Sequence, residues 1–390
     1  MSYNKYKTNW LNSYPAISDL AKKAKSNIPN VAWQYLETGT GREALLKKNI
    51  TAFNNIIFTP RFCKGEINPN LKTTILNQTF NAPFGMAPVG LTGLIWPKAE
   101  IFLAQTAKQY QIPYTLSTVA TETPETLSNH IDNIGWFQLY PPYDGNIRKN
   151  LLERAQHAGF HTLLITADVP APSLRERTKR AGLTMPPKIT PNFIWQGITH
   201  PTWSIKTLQR GLPSLRTVAP YAPSKSMKYV SKFMNQKWRG DLTWEYCKAV
   251  RDEWKGPILM KGILHPKDVE KVIEIGLDGI VVSNHGGRQF DAAPPAIDVL
   301  PQIAKAFKNK LTIVFDSGIR SGLDVMRALA LGADFVLLGR AFIYGVAALG
   351  KYGGHHVAQL LIEDLKNNMA QIGVKNIAEL KKYIDQSSVT

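Results

Sequence analysis

Two side chains of complementary chemistry, His285 and Arg288, stand three residues apart in the run Val-Val-Ser-Asn-His-Gly-Gly-Arg-Gln-Phe-Asp at 281–291. An imidazole takes up a proton near neutral pH, and a guanidinium offers a planar fork of donors to a carboxylate. Between them Gly286 and Gly287 let the backbone turn sharply. The preceding residues, 278–283, form a short apolar, β-branched run that reads as a buried parallel strand. A strand that ends by presenting a base and a cation is suited to binding and deprotonating a small anion. A single histidine is more often a hydrogen-bonded structural residue, so the decision rests on the other strand ends.

Those strand ends follow from a rhythm that begins at residue 83. Apolar runs at 83–87, 114–117, 136–140, 162–167, 257–261, 279–283, 312–315 and 335–338 alternate with amphipathic stretches that include 98–110, 147–158, 266–275, 294–307 and 322–331. Eight strands alternating with helices predict a parallel sheet closed as a (β/α)8 TIM barrel. A doubly wound sheet does not account for eight units, and no GxGxxG follows the first strand. Residues 1–60 read as an N-terminal helical cap. Helical spacing covers 15–25 and 29–38, with Gly39 and Gly41 as the stop and Tyr35 near a helix end. The whole of 1–390 reads as one barrel domain. One long insertion, 171–240, interrupts it after the fourth strand and reads as a functional or partly unstructured loop.

Active sites of such barrels sit at the C-terminal ends of the strands. Here those ends carry Ala87 to Gly90, Ser117-Thr118, Gln138 to Tyr140, Thr166 to Asp168, Lys261, Ser283 to His285, Asp316 to Arg320, and Gly339-Arg340. Nearly every strand delivers a hydroxyl, amide, acid or base to the same rim. The last two turns, Ser317-Gly318 with Arg320 and Gly339-Arg340, fit a phosphate cradle, because glycine permits close backbone approach and arginine supplies forked donors.

Bulk properties narrow the class further. The chain has 390 residues, 44% of them apolar, and a formal net charge of +18. Residues 171–240 hold thirteen Lys or Arg against one acid, Glu176, and so carry +12 of that charge among several Trp and Tyr. Basic and aromatic residues together suit an anionic membrane surface, and also nucleic acid. No apolar run reaches the length of a spanning helix. The polar stretch 1–25 predicts no secretory leader. Cys63 and Cys247 are isolated, so neither a disulfide nor a metal site is expected, and a reducing cytoplasmic setting fits.

Five segments carry a family resemblance: Ser-Asn-His-Gly-Gly-Arg-Gln at 283–289, Asp-Ser-Gly-Ile-Arg at 316–320, the run 331–340 ending Leu-Gly-Arg, Phe-Gln-Leu-Tyr at 137–140, and Met-Lys-Gly at 260–262. Together they resemble the FMN-dependent α-hydroxy-acid dehydrogenase/oxidase family from about residue 15 to 385. Residues 87–91, 115–119 and 200–203 are most similar to its bacterial respiratory L-lactate dehydrogenase branch. The resemblance implies FMN at the barrel mouth, held by Ala87, Val89, Ser117, Gln138, Thr166, Lys261, Ser283, Asp316, Gly318, Arg320, Gly339 and Arg340. It implies His285 as the base, Asp168 as the carboxylate supporting its imidazolium, and Lys261 beside the flavin. Arg175 and Arg288 would grip the substrate carboxylate, Tyr35 and Tyr140 the substrate oxygens. Ser173 departs from the glycine of many relatives. His355-His356 matches no site of the family and reads as surface.

The expected reaction is oxidation of an L-2-hydroxy acid, with L-lactate favoured over glycolate because Val119 stands where glycolate-preferring relatives carry a bulky aromatic. Electrons are expected to reach a quinone, with the basic insertion resting peripherally on the inner face of the cell membrane. A homo-oligomer, a tetramer by resemblance, is expected. The competing readings are a soluble oxidase that uses O2, a mandelate dehydrogenase, and a non-enzymatic nucleic-acid-binding barrel, which would leave the polar strand ends unexplained.

Overall fold

The protein is described here by a computed structural model covering residues 7–184, 188, 190–238 and 242–385. Eight parallel strands close a barrel in chain order: β3 (Phe84–Met86), β4 (Tyr114–Ser117), β5 (Gly135–Leu139), β6 (Phe160–Thr166), β7 (Ile258–Ile263), β8 (Gly279–Val282), β9 (Thr312–Phe315) and β10 (Phe335–Leu338). β10 returns to pair with β3, placing Leu338 opposite Met86. Strands buried on both faces need apolar side chains throughout rather than in alternation, and almost every residue of these eight is buried. All eight expected strands are present, and helices such as Ala99–Tyr110, Pro266–Glu274 and Gly322–Ala330 lie where helical spacing puts them.

A short hairpin precedes the barrel, β1 (Thr73–Ile75) with β2 (Gln78–Phe80), and periodicity over such short strands gives no sign of it. It turns through Leu76 and Asn77, both at positive φ. It brings Phe80 against Trp136 and Phe335, with ring centroids 6.3 and 5.4 Å apart. Those two residues lie at the starts of β5 and β10, so the hairpin closes the N-terminal end of the barrel and leaves the other end for chemistry.

The helix Ile17–Asn27 packs against the helix Arg340–Leu349, where Asn27 Nδ2 donates to Ala347 O and Ala348 O, and the helices Asn30–Glu37 and Ala44–Thr51 lie over that other end. The last of these is not anticipated from local signals. Its N-cap, Glu43, is left-handed and makes no side-chain cap. Instead Asp291, far along the chain, accepts from the amides of Arg42 and Leu45 at 3.0 and 2.9 Å. The donors orphaned at a helix start are thus satisfied by a tertiary contact.

The insertion is helical rather than loop-like, with helices Glu176–Arg180, Pro191–Thr199, Pro201–Arg210 and Met227–Lys237. Pro191 and Pro201 act as starters, because a first-turn proline has no intrahelical bond to lose. It is fastened to the barrel by Trp203, whose indole N–H donates to Leu94 O at 3.1 Å, and by Glu122. The Glu122 carboxylate pairs with Arg210 and Arg216, and its carbonyl accepts from Thr217 Oγ1 at 2.9 Å. The surface reading of His355-His356 fails for His356, which is fully buried, with Nε2 2.9 Å from Tyr14 O. It lies in the helix Gly353–Gln371, among the buried residues by which that helix faces the fold.

Candidate active site

The strand-end residues converge at the C-terminal rim of the barrel. β8 ends at Val282, and the turn after it puts His285 at φ 57°, a conformation that a non-glycine residue adopts rarely. Asn284 and Ser317 hold it. Asn284 Oδ1 accepts from Gly287 N, and Ser317 Oγ accepts from Asn284 N and Gly286 N at 3.3 and 3.1 Å. Backbone strain kept this way concentrates at functional sites.

His285 Nδ1 lies 2.9 Å from Asp168 Oδ1, with side chains 17% and 14% exposed. Burial pulls the imidazole below its ordinary value and outweighs the nearby carboxylate, with Lys261 and Arg175 pulling the same way. Burial pushes the Asp168 carboxyl up, but His285 and Lys261 outweigh it and hold it low. The pair therefore rests as a neutral imidazole beside a carboxylate. On the other ring nitrogen, Tyr140 Oη lies 3.4 Å from His285 Nε2. Burial, helped by Asp168, raises that phenol to about 12, so it is neutral. The other Asp168 oxygen, Oδ2, is buried with no hydrogen-bond partner among the described residues.

Behind this pair lies a polar layer at the barrel core. Lys261 Nζ contacts Asp316 Oδ2 at 2.9 Å and donates to Ser283 Oγ at 2.8 Å. Burial opposes its charge, yet Asp316 and Asp168 keep it above its ordinary value and so cationic. Ser117 Oγ donates to Gln138 Oε1 at 2.7 Å, and Gln138 Nε2 donates to Thr166 Oγ1 at 2.8 Å. Ala87, Val89 and Gly339 stand together: a Cβ on Gly339 would come 3.3 Å from Val89 and 3.7 Å from Ala87.

Positive charge collects around the rim. Arg288 donates to the carbonyls of Tyr35, Leu36 and Thr38, and its guanidinium lies 5.2 Å from the Tyr35 ring centroid. Burial, reinforced by Arg175, lowers Arg288 to about 9, still protonated at neutral pH. Arg340 donates to Leu36 O, Thr38 O and Gly286 O. Burial lowers it too, opposed by Tyr344 and reinforced by Arg320. Neither arginine has a carboxylate ion pair among the described residues. Arg320 lies 5.7 Å from the Tyr344 ring centroid and donates to Ile319 O. Tyr35 Oη donates to Gly90 O at 2.9 Å. An added Cβ on Gly90 would sit 2.5 Å from Val119 Cγ2 and 3.6 Å from that phenol, so Tyr35, Gly90 and Val119 form one wall. At Gly318, φ +92°, the side on which a side chain would stand faces the cap helix, where Asn49 O leaves no room for a Cβ.

A supporting layer was not foreseen. Gln289 Oε1 accepts from Ser173 Oγ at 3.0 Å and Arg175 Nη2 at 2.9 Å, while Arg175 Nε donates to Ser173 Oγ at 3.0 Å. Asn49 and Asn284 exchange side-chain amide bonds of 2.8 and 2.7 Å, tying the cap to the histidine turn. Gln289 and Asn284 sit inside the motif around His285, which was the available signal. Asn49 had none.

An eight-stranded parallel barrel with an acid–base pair and a set of buried and half-buried cations at its C-terminal rim defines an enzyme that handles an anionic substrate. The comparisons agree. Residues 24–386 match the model of the FMN-dependent dehydrogenase family, and the chain belongs to that family. It is 37% identical over 367 residues to an L-lactate dehydrogenase of Xanthobacter autotrophicus, covering 94% of each chain. It is also 37% identical to an L-lactate dehydrogenase of Pseudomonas aeruginosa, over 94% of this chain and 96% of that one. Among solved structures it superposes on the monotopic membrane protein (S)-mandelate dehydrogenase with a TM-score of 0.90 and 33% identity, covering 95% and 98% of the two chains. A mandelate oxidase matches with a TM-score of 0.80 and 29% identity over 95% and 98%.

FMN is therefore the cofactor, and the donor set fits it. The buried Lys261 supplies a fixed cation, the Ser117–Gln138–Thr166 chain supplies polar groups for a heteroaromatic edge, and the rim arginines, without acid partners among the described residues, suit a phosphate.

Proposed function

We propose that this enzyme oxidises L-lactate to pyruvate. His285 acts as base, because Asp168 occupies Nδ1 and leaves Nε2 on the side of Tyr140. Asp168 then stabilises the imidazolium. Arg288 and Arg175 bind the substrate carboxylate, and Tyr35 and Tyr140 orient its remaining oxygens. Ala87, Val89, Ser117, Gln138, Thr166, Lys261, Ser283, Asp316, Gly318, Arg320, Gly339 and Arg340 hold FMN. When bound, FMN supplies the acceptor for the two electrons leaving the substrate. The observation that carries this reading is the largely buried His285–Asp168 pair beside Arg288 and Arg340, which have no carboxylate partner among the described residues.

Val119 sets substrate size. Its small side chain on the Tyr35–Gly90 wall leaves room for a methyl group, and a methylene in such a pocket is worth about 1–3 kcal/mol. Lactate should therefore exceed glycolate in kcat/KM, and Val119→Trp should reverse the order; a parent enzyme that prefers glycolate contradicts the assignment. Anaerobic bleaching of the flavin by a panel of 2-hydroxy acids, mandelate included, tests the substrate class. Re-oxidation by a quinone or by O2 then separates dehydrogenase from oxidase.

The reading extends to a peripheral membrane enzyme that passes electrons to quinone, working at the cytoplasmic face as a homo-tetramer. Support comes from the insertion, whose helices Pro191–Thr199 and Pro201–Arg210 expose Trp195 (63%), Ile198 (64%), Ile205 and Leu208 (78%) beside Lys206. Exposed apolar side chains on adjoining helices mark an interaction surface. Among the described residues no helix is long and apolar enough to cross a membrane. Replacing Trp195, Ile198 and Leu208 with Ser should release the protein from anionic vesicles while dye-linked turnover persists; unchanged partition refutes the attachment.

A further inference from the structure

The cap helix Ala44–Thr51 comes unusually close to two turns of the catalytic rim. A Cβ on Gly287 would stand 2.9 Å from Leu46 N, and one on Gly318 would stand 1.9 Å from Asn49 O. Of the buried residues of this helix, Leu45, Leu46 and Asn49, only Asn49 is polar. Asparagine is a weak helix former, and a buried amide costs free energy unless it is hydrogen-bonded. Asn49 is 2% exposed, and both ends of its amide are engaged. Its Nδ2 donates to Asn284 Oδ1 at 2.8 Å, and its Oδ1 accepts from Asn284 Nδ2 at 2.7 Å and from Ala296 N at 3.3 Å.

This pairing fixes which way Asn284 faces. The backbone donor Ala296 N requires an oxygen at that end of Asn49. That oxygen in turn requires the NH2 end of Asn284, which also donates to Pro294 O at 3.0 Å. The Asn284 oxygen is thereby turned toward Gly287 N, 3.3 Å away, and Gly287 N also donates to Asn284 O at 3.1 Å. His285 sits inside the turn so closed, at φ 57°, with its Nδ1 2.9 Å from Asp168 Oδ1. The guanidinium of Arg288 is held by other groups, the carbonyls of Tyr35, Leu36 and Thr38. The base and the neighbouring cation therefore have separate supports.

We infer that Asn49 is a positioning residue for the proton transfer: from the cap, through Asn284, it holds the left-handed turn that aims His285. The inference rests on the reading of His285 as base and deepens it, by placing a determinant of the base's position 235 residues away from Asn284 in the chain.

The test uses the FMN-loaded full chain. The limiting rate of anaerobic bleaching by saturating L-lactate is measured beside Kd for pyruvate, an anion that does not reduce the flavin. Asn49→Ala leaves the Asn284 amide half-bonded. Small misplacement of a reacting group costs a large factor in rate, so bleaching should slow about tenfold or more, while Kd for pyruvate stays within about twofold of the parent's. Asn284→Ala should behave alike, and the double variant should be no slower than the slower single one, because both cut the same link. Asn49→Asp keeps the acceptor for Ala296 N and loses the donor to Asn284 Oδ1; it should show the same split and replaces Asn49→Ala if that variant does not take up FMN. Leu20→Ala, at a fully buried position on the helix Ile17–Asn27, is the stability control. It should lower Tm at least as much as Asn49→Ala and still bleach at the parent's rate.

Asn49 variants that bleach at the parent's rate, while His285→Gln is slow, overturn the inference and leave the base reading standing. So do rate losses that multiply in the double variant, a Kd for pyruvate that rises in step with the loss of rate, or a Leu20→Ala enzyme slowed as much as Asn49→Ala. His285→Gln bleaching at the parent's rate sinks the base reading and the inference with it.

Discussion

Replacing Asp168 with Asn keeps the shape of the carboxylate and removes its charge. In the parent, Asp168 Oδ1 lies 2.9 Å from His285 Nδ1, and both side chains are largely buried. A hydrogen bond to a charged group is worth about 1.5–3 kcal/mol. That interaction is strongest once His285 has taken a proton, so its loss falls on the proton-transfer step. At about 1.4 kcal/mol per tenfold, the reductive rate should drop roughly 10- to 150-fold. The variant should also shift the pH profile. Burial already holds His285 below its ordinary value against the pull of Asp168. A base works only when unprotonated, so the parent's kcat/KM for lactate should fall off only below the ordinary histidine pKa. Losing Asp168 removes the raising influence, and the acid limb should move to still lower pH. Stopped-flow bleaching of the flavin under anaerobic conditions, followed across pH, measures both effects. A variant within about threefold of the parent, with the same acid limb, would refute the assigned partnership.

Further outcomes follow from the supporting residues. Ser173→Gly removes one of the two groups that fix Arg175, and KM for lactate should rise several-fold with little change in kcat, because Gln289 still holds the guanidinium; a lowered kcat at unchanged KM speaks against a positioning role. Gly318→Ala would set a Cβ 1.9 Å from Asn49 O on the cap helix at φ +92°, and should lower stability by about 2 kcal/mol or more, read as a lower Tm of the FMN-loaded protein.

The barrel was legible because its strands are buried on both faces, so each reads as a bounded apolar run. The rim was legible for the complementary reason: polar residues right after such runs, His285 and Asp168 among them, have no core to enter. What stayed hidden depends on distant partners. The helix Ala44–Thr51 starts on Asp291, a contact no local pattern records. The Asn49–Asn284 pair joins residues 235 apart in the chain. His356 looked like surface because a histidine pair is polar, yet its helix packs that face inward and Tyr14 satisfies Nε2. In the insertion, prolines and glycines suggested loop, and the structure uses Pro191 and Pro201 as helix starters.

The central claim is that His285 is the base. His285→Gln keeps a polar side chain of similar reach and removes the proton acceptor. General-base catalysis of this kind contributes about 10²–10⁴-fold. The FMN-loaded variant mixed anaerobically with saturating L-lactate should therefore bleach at least about a hundredfold more slowly than the parent, with its flavin spectrum intact before mixing. Bleaching at the parent's rate would contradict the account.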